Sequence, residues 1–387
     1  MQSVTTTDRR RPFDPSASAT LIVVRKFLSL IVIVFLAAAA WLAWTLLTPT
    51  TPVAQTFVML HPGYSTRHIA AELKKNGIIR SEDAFILWHY LHRSRSLKAG
   101  EYLFEKPATA IDVQKRLARG DVYFHTVVVP EGFTMFDIAR AVEAAGLGPA
   151  QDFIKVAQSD TSLISDIAPS AQSLEGYLFP DTYEFSRMMS MEAMATAMVC
   201  QFRSVAQEIG LLKLATNQAA QHSASEPTKS GHICVTITSN LNIPDSGAPP
   251  NDLERTVTMA SIIEKETAVP DERPLVASVY YNRLQNKIAL DADPSIIYAE
   301  LLAGTYTGAL HHEDMQFNSP YNTYAHTGLP PGPIANPGKS ALEAAMHPAQ
   351  SDYYYFVADA AGHHRFAKTI EEHNQNVAAY RRAMLGK

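Results

Sequence analysis

The stretch FLSLIVIVFLAAAAWLAWTLL, residues 27–47, decides the architecture of the chain because it runs for 21 residues without a charge. A helix needs about 20 apolar residues to cross the hydrocarbon layer of a bilayer. We therefore predict one transmembrane helix at 27–47. A cleaved signal peptide is the alternative, since Ala38 and Ala40 offer a small-residue cleavage site, but the apolar run continues past them.

Basic residues flank this segment on one side only. No Lys or Arg follows it until Arg67, whereas five precede it: Arg9, Arg10, Arg11, Arg25 and Lys26. The positive-inside bias predicts that the tail 1–26 is cytoplasmic. The protein is then a single-pass protein of the cell inner membrane, with everything after about Thr48 in the periplasm.

Length and composition narrow the function classes. The chain has 387 residues, which suits two folded units plus tails. Its 33 basic and 38 acidic residues give a net charge of -5, so nucleic acid is an unlikely class of partner. An exported compartment would allow Cys200 and Cys234 to pair. Nothing in the sequence brings the two thiols together, and two separate thiols are the favoured interpretation.

An internal repeat follows a short polar tether at 48–55. The segment that begins TFVMLHPGYSTRHIAAELKK predicts a strand and two helices, and the pattern returns 69 positions later, aligning Gly63 with Gly132. Between the copies, LKAGEYLFEKPATAIDVQKRLARGDV predicts a further strand and helix. We therefore predict a small α+β domain at 57–125.

The segment 216–250 is polar and lacks apolar periodicity. We predict a long exposed loop there, with a short hairpin around ICVTIT. Loops rich in Tyr, Asn, Thr and Pro surround it in the second half of the chain, a composition that is common in clefts that bind sugars and on ordinary surfaces.

A helix that contains ASIIEKET, residues 260–267, carries two glutamates. Residues 251–254 have the form of a capping box and mark its start. Glu266 continues the apolar face of this helix, whereas Glu264 lies about 160° away. The face is formed by Met259, Ile262 and Ile263.

Glu266 is the better candidate for a general acid. Desolvation on an apolar face disfavours the charged form of a carboxylate, so its pKa rises and it keeps a proton near neutral pH. The alternative is that Glu266 lies in a frayed last turn and pairs with Lys265 or Arg273.

Other chemistries fail on spacing. The run His311-His312-Glu313 is not HExxH, and two cysteines make a structural zinc site unlikely. No GxSxG elbow and no phosphate-binding or dinucleotide-binding glycine loop is present. We expect no metal and no cofactor, which leaves acid–base chemistry by carboxylates or binding without chemistry.

Several motifs in one order resemble the endolytic murein transglycosylases of the YceG-like family: EGYLFPDTYEF, ASIIEKET, ERPLVASVYYNRL, DADPSIIYA, SPYNTYAHTGLPPGPIANPG, AAMHPAQSDYYYFVAD and HRFAKTIEEHN. The resemblance implies an α+β protein in which the transmembrane helix precedes a LysM-like domain (57–125) and a mixed α/β catalytic domain (126–387). The segment 216–250 is longer than the family leads us to expect.

The resemblance also implies an activity. The enzyme would be a lyase that cuts peptidoglycan glycan strands internally, acts as a terminase of nascent glycan polymerisation and works with peptidoglycan synthases. The family's catalytic glutamate is the second of its E-x-E, which here is Glu266. Further residues in the motifs are predicted to bind substrate: Glu175, Asp181, Glu264, Asn282, Arg283, Asp293, Tyr321, Asn322, Thr323, Tyr324 and His347.

Two alternatives to this activity stay open. A hydrolysing muramidase would require a second carboxylate, for which Glu175, Asp181 and Asp293 are the candidates. A glycan-binding scaffold without catalysis would make Glu266 dispensable. The chemistry of the cleaved ends separates these alternatives from a lytic transglycosylase.

Overall fold

The chain folds as a mixed α+β protein with one long apolar helix near its N-terminus. The structure is a computed structural model. The chain forms two compact units, Met1–Tyr123 and Phe124–Lys387. The residues it describes are 15–52, 54–92, 96–215, 221–224, 235–238 and 252–385. The domain assignments 57–125 and 126–387, and the LysM-like character of the first, stay predictions.

Helix α1, Pro15–Leu47, contains the predicted membrane segment. Its portion Val24–Leu47 is the one helix in the described chain that is long and apolar enough to cross a membrane, which is consistent with a single-pass anchor. Large apolar side chains are exposed along it, as lipid-facing side chains would be. Its last turn differs, because Thr45 and Leu46 are buried in the core of the first unit.

The first unit has the predicted order of strand, two helices, strand and helix. The elements are β1 (Thr56–Leu60), α2 (Thr66–Lys75), α3 (Glu82–Leu91), β2 (Gly100–Phe104) and α4 (Ala110–Arg119). β1 and β2 pair antiparallel, with Val58 opposite Tyr102. Ser65 and Ser81 accept hydrogen bonds from backbone N–H groups in the first turns of α2 and α3, so capping residues in the sequence fix both starts.

The segment 48–55 is bonded to the first unit. The backbone groups of Thr50 and Ala108 exchange hydrogen bonds of 2.9 and 3.2 Å, and Arg80 donates to the carbonyl of Pro49. The predicted tether is therefore fixed to the first unit in the part that is described. The membrane helix passes directly into the folded unit.

The second copy of the repeat opens the second unit with the same order as the first. It comprises β3 (His125–Val128), α5 (Met135–Ala144) and α6 (Ala150–Ser159). Gly63 and Gly132 precede the first helix of each copy, and both have a left-handed φ, 85° and 75°, which glycine adopts without strain. Thr134 then forms a capping box with Asp137. The predicted repeat is thus confirmed.

The rest of the second unit is helical with three short antiparallel pairs. β4 (Thr182–Phe185) pairs with β3 across more than 50 residues of chain. The remaining elements are α7 (Met191–Glu208), β5 (Gln221–Ala224), β6 (Val235–Thr238), α8 (Asp252–Glu266), α9 (Arg273–Gln285), α10 (Asp293–Ala303), α11 (Lys339–Met346), β7 (Tyr355–Ala358), β8 (His364–Ala367) and α12 (Ile370–Leu385). α8 lies at the centre, packed against α9, α10 and α11.

The polar segment 216–250 contains the predicted hairpin, because β5 pairs antiparallel with β6. The remainder of that segment lies outside the described residues. Cys200, in α7, is fully buried and disulfide-bonded, which differs from the expectation of two separate thiols. Cys234 is itself outside the described residues.

Candidate active site

Helix α8 positions the two glutamates at its C-terminal end. Ten of its residues are buried, among them Met259, Ile262 and Ile263, so the predicted apolar face is the face that packs into the core. The helix begins at Asp252, as expected, and its last residue is Glu266. A short helical turn at Pro270–Glu272 leads into α9, which returns alongside it.

Glu266 lies in an environment suited to a general acid. It shares a hydrogen bond with the Tyr280 hydroxyl, while its Oε2 atom is buried with no hydrogen-bond partner among the described residues. Desolvation raises its pKa from 4.5 to about 7, the Tyr280 hydrogen bond opposes this rise, the negative charge of Asp293 adds to it, and Arg283 lowers it. A pKa of about 7 leaves a large share of this carboxyl protonated near neutral pH, and its Oε2 atom has no bond within the described protein that a proton transfer would have to break.

Asp293 is the acidic neighbour of Glu266. It begins α10, where Pro294 occupies the first turn, and it accepts a 2.6 Å hydrogen bond from the Tyr324 hydroxyl. Tyr324 is 38% exposed, whereas Tyr280 is buried. Asp293, Tyr280 and Tyr324 thus surround the catalytic candidate with one carboxylate and two phenols.

Glu264 faces away from this group but is not solvated. Arg273 donates to its Oε1 at 2.6 Å, and the Gly338 N–H donates to its Oε2 at 2.9 Å. The side chains of Glu264 and Arg273 are only 4% and 5% exposed. Burial raises the pKa of Glu264, and the Gly338 hydrogen bond and the Arg273 charge lower it. The 2.6 Å contact favours the ion pair, so Glu264 holds the start of α9 and the 338 loop against α8.

The alternative interpretation of Glu266, a pair with Lys265 or Arg273, is wrong for both partners. Arg273 pairs with Glu264, with a longer contact to Glu131 at 3.4 Å. Lys265 instead donates to the carbonyl of Gly132 at 3.2 Å.

Asn282 and Arg283 connect α9 to the chain that precedes β7. Asn282 donates to the carbonyls of Ser351 and Tyr353, each at 2.9 Å. Arg283 donates to the carbonyl of Tyr354 at 2.7 Å and also binds Asp291 at 2.9 Å. Both side chains hold the backbone, and Arg283 also contributes its charge to the environment of Glu266.

The motif SPYNTY forms a loop that is fixed from inside. Asn322 is fully buried and donates to the carbonyls of Met315 and Phe317. Thr323 accepts from the Ala292 N–H and contacts Ser295. Both side chains are buried and hold the loop that presents Tyr324, and their contact with substrate stays a prediction.

Glu175 was also predicted to bind substrate, yet it is 1% exposed. The Met135 N–H donates to both of its oxygens, at 3.1 and 3.0 Å, and Asn336 donates at 2.7 Å. Burial raises its pKa to about 8, against these hydrogen bonds and that of Tyr298. Glu175 therefore joins α5 to the IANPG loop, and its predicted role in substrate binding stays a prediction.

Three other predicted residues lie elsewhere in the second unit. Asp181 accepts from Gln201 at 2.8 Å, Tyr321 lines a cavity beside Pro331, and His347 follows α11. Within the described residues, no group of three His, Cys, Asp or Glu side chains is placed to hold a metal ion. Substrate binding by Asp181, Tyr321 and His347 stays a prediction.

Sequence reasoning missed the roles of Tyr280 and Asn336. Tyr280 is not among the residues predicted for the site, and its hydroxyl shares a hydrogen bond with Glu266. Asn336 is fully buried, accepts from the N–H groups of Gly176 and Leu178, and donates to Phe133 and Glu175. Its signal is the asparagine between apolar residues and Pro337, a polar group that must be satisfied if buried.

Comparison with known proteins shows which family the chain is similar to. A protein named endolytic murein transglycosylase from Bacillus subtilis (strain 168) is 32% identical over 353 residues, 87% of this chain and 88% of that protein. A protein of the same name from Streptococcus pneumoniae serotype 2 is 28% identical over 346 residues, and the match covers 82% of this chain but 57% of that protein. The crystal structure of a YceG-like protein from Listeria monocytogenes superposes with a TM-score of 0.51 at 30% identity, covering 83% of this chain and 98% of that one.

The model of the YceG-like family matches residues 58–379, which include both copies of the repeat and every residue placed around Glu266. The match covers most of the chain, and the similarity to the Bacillus subtilis protein extends over nearly the full length of both. The chain therefore belongs to the YceG-like family.

Proposed function

We propose that this protein is an endolytic murein transglycosylase, a lyase that cuts peptidoglycan glycan strands internally with Glu266 as its acid and base. The observation that carries the proposal is the desolvated carboxyl of Glu266, whose pKa burial raises to about 7 and whose Oε2 has no partner among the described residues. The names of the relatives from Bacillus subtilis and Streptococcus pneumoniae support the same class of activity.

The reaction begins with proton donation. Glu266 donates its proton to the oxygen that links N-acetylmuramic acid to N-acetylglucosamine, and the bond from C1 of the muramic residue to that oxygen breaks. Oε2 is the oxygen that carries the proton, because the bond to Tyr280 occupies the other oxygen. Positive charge that develops on the muramic ring is stabilised by the nearby carboxylate of Asp293.

Ring closure completes the reaction. The Glu266 carboxylate takes the proton from the C6 hydroxyl of the muramic residue as that oxygen attacks C1, which gives a 1,6-anhydro end and restores the acid. No water is consumed. The same group acts first as acid and then as base, and a pKa of about 7 suits both steps near neutral pH.

Hydrolysis is the competing chemistry. An inverting or retaining hydrolase positions a second carboxylate about 5 to 9.5 Å from the acid. Of the three candidates, Glu175 is buried and bonded to Met135, and Asp181 is bonded to Gln201, whereas Asp293 acts electrostatically on Glu266. Asp293 is therefore the residue through which hydrolysis would operate.

The test is a digest of purified glycan strands with the full-length protein in detergent, performed in water enriched in oxygen-18. Transglycosylation gives anhydro ends without label, and hydrolysis gives reducing ends that carry it. Glu266→Gln is the control, and it should leave the strands intact. Labelled reducing ends would replace the proposal with a muramidase, and undiminished cleavage by Glu266→Gln would remove Glu266 from the mechanism.

We also propose that the anchor holds this activity at the membrane, with the tail 1–26 in the cytoplasm and the two folded units in the periplasm. The basic residues that precede α1 support this orientation. Because Leu46 is part of the core of the first unit, that unit lies close to the membrane surface. Cleavage near the membrane fits a terminase of nascent glycan strands that acts beside peptidoglycan synthases.

A further inference from the structure

A second concave site lies near the N-terminal end of α8. It has a volume of about 240 Å³ and is bounded by three segments, 170–173, the start of α8 and 329–333. Aromatic rings of Tyr177 and Tyr321 line it together with the prolines of the 329–333 segment. Such a mixture of ring faces, prolines and polar side chains suits a sugar with a polar substituent.

Arg255 gives this cavity its electrostatic character. Its side chain is exposed at the rim, and it has no ion pair in the part of the chain that the structure describes. Glu254 also lines the cavity, but it is 5% exposed and its Oε1 accepts from the N–H and the hydroxyl of Ser170, at 2.8 and 2.7 Å. The group that is available to a ligand is therefore the guanidinium.

The helix relates this cavity to the catalytic carboxyl. Arg255 and Glu266 are separated by eleven residues, which in a helix is three turns plus about 20°, with a rise of about 16 Å. They therefore project from nearly the same side of α8, a few sugar residues apart.

A stretch of loop also connects the cavity to the catalytic group. Tyr321 lines the cavity, and Tyr324, three residues later, binds the carboxylate beside Glu266. The 329–333 segment continues along α8, where the Ile334 N–H donates to Ser261 and the Gly338 N–H donates to Glu264. This segment follows the side of α8 that carries Glu264, so the 321–324 stretch is the one that links the cavity to the surroundings of Glu266.

We propose that this cavity is a distal subsite of the glycan cleft, in which Arg255 binds a carboxylate borne by a muramic acid residue of the strand that Glu266 cuts. The inference rests on the proposed function, because it takes the substrate to be peptidoglycan. Muramic residues carry a lactyl group that is either a free carboxylate or amide-linked to a peptide stem with carboxylates of its own. A guanidinium binds either carboxylate through paired N–H donors.

A subsite at this distance has a kinetic consequence. It contributes to binding of a long strand at the scissile bond but makes no contact with the reacting atoms, so its loss raises KM and leaves kcat nearly unchanged. Fragments too short to reach from Glu266 to Arg255 gain nothing from it. The protein would then select positions well inside a strand, which is the behaviour of an endolytic enzyme.

The experiment compares Arg255→Gln, Arg255→Lys and the control Lys155→Gln, which removes a cation from the exposed face of α6. Each full-length protein digests two substrates, stem-bearing strands and strands stripped of stems. We expect Arg255→Gln to lower kcat/KM by roughly 3- to 10-fold through KM, and Arg255→Lys to retain most of the parent value. Loss confined to stem-bearing strands assigns the carboxylate to the stem, and loss on stripped strands assigns it to the lactyl group.

Binding separates this inference from the proposed function. In a Glu266→Gln background, the affinity for each soluble substrate is measured with and without Arg255→Gln. If the parent binds strands through Arg255 but does not cut them, the proposed function fails and the subsite stands. If the parent cuts both substrates and Arg255→Gln behaves like Lys155→Gln in cleavage and in binding, the subsite is refuted.

Discussion

Replacing Glu266 with Gln should change both the pH dependence of the stability of this protein and its activity, in ways that can be measured separately. The native state holds the Glu266 proton up to about pH 7, whereas the unfolded chain releases it near pH 4.5. Between these values the folded state binds more protons than the unfolded state, so stability falls as pH rises and then levels off above pH 7. The amide of Glu266→Gln has no such dependence.

The magnitude follows from the two pKa values. Each pH unit in the window from 4.5 to about 7 lowers the free energy of unfolding of the parent by about 1.4 kcal/mol, which gives a total loss on the order of 3 kcal/mol. The free energy of unfolding of Glu266→Gln minus that of the parent should therefore be about 2.5 kcal/mol larger at pH 8 than at pH 5. In a unit of this size that corresponds to roughly 5–10 °C in the unfolding midpoint.

The assay pairs thermal unfolding at pH 5 and pH 8 with the glycan digest. Anhydro ends should fall by at least about 100-fold in Glu266→Gln, and the rate of the parent should decline above about pH 7 as the acid form disappears. Glu184→Gln, on the exposed side of β4, makes the same chemical change and should alter neither property. If Glu266→Gln shows the same stability relative to the parent at both pH values, the carboxyl is not desolvated. If it still produces anhydro ends near the parent rate, the assignment of the acid is wrong.

Four further outcomes are expected. A reporter fused after Lys387 should work only if it functions outside the cytoplasm, and activity of a strictly cytoplasmic reporter would contradict the orientation. Glu264→Gln leaves the Arg273 guanidinium buried without its main carboxylate, so denaturant unfolding should show a loss on the order of 3 kcal/mol in the free energy of unfolding. Its effect on cleavage should be smaller than that of Glu266→Gln, and the reverse ranking would refute the roles given to both glutamates. Tyr324→Phe removes a hydrogen bond to the carboxylate beside the acid and should lower kcat/KM by roughly 2- to 10-fold at unchanged Tm, whereas an unchanged rate would exclude the loop from the site. Trimming the parts of 216–250 outside the β5–β6 hairpin should leave the melting curve and the digest unchanged, and loss of the folded state would show that these parts pack on the core.

Local patterns predicted the local structure of this protein well. The two glycines of the repeat, the start of α8 and its apolar face are each decided within a few residues, so the repeat and α8 are found where the sequence predicts them. The pairing of β3 with β4 depends on contacts across more than 50 residues and has no local signal. The attachment of the tether at 48–55 to the first unit likewise has no local signal, because its hydrogen bonds involve Ala108 and Arg80.

The candidate site shows the same division between local and distant information. Helical spacing alone separated Glu266 from Glu264, because the angle between them is a property of one helix. It did not show that Arg273 would bury Glu264, since that depends on the return of α9, nor that Tyr280 would be the partner of Glu266. The pKa of the acid is set by such neighbours. A sequence therefore identifies which carboxylate can be the catalyst, and the packing of α9 and α10 determines the pH at which it acts.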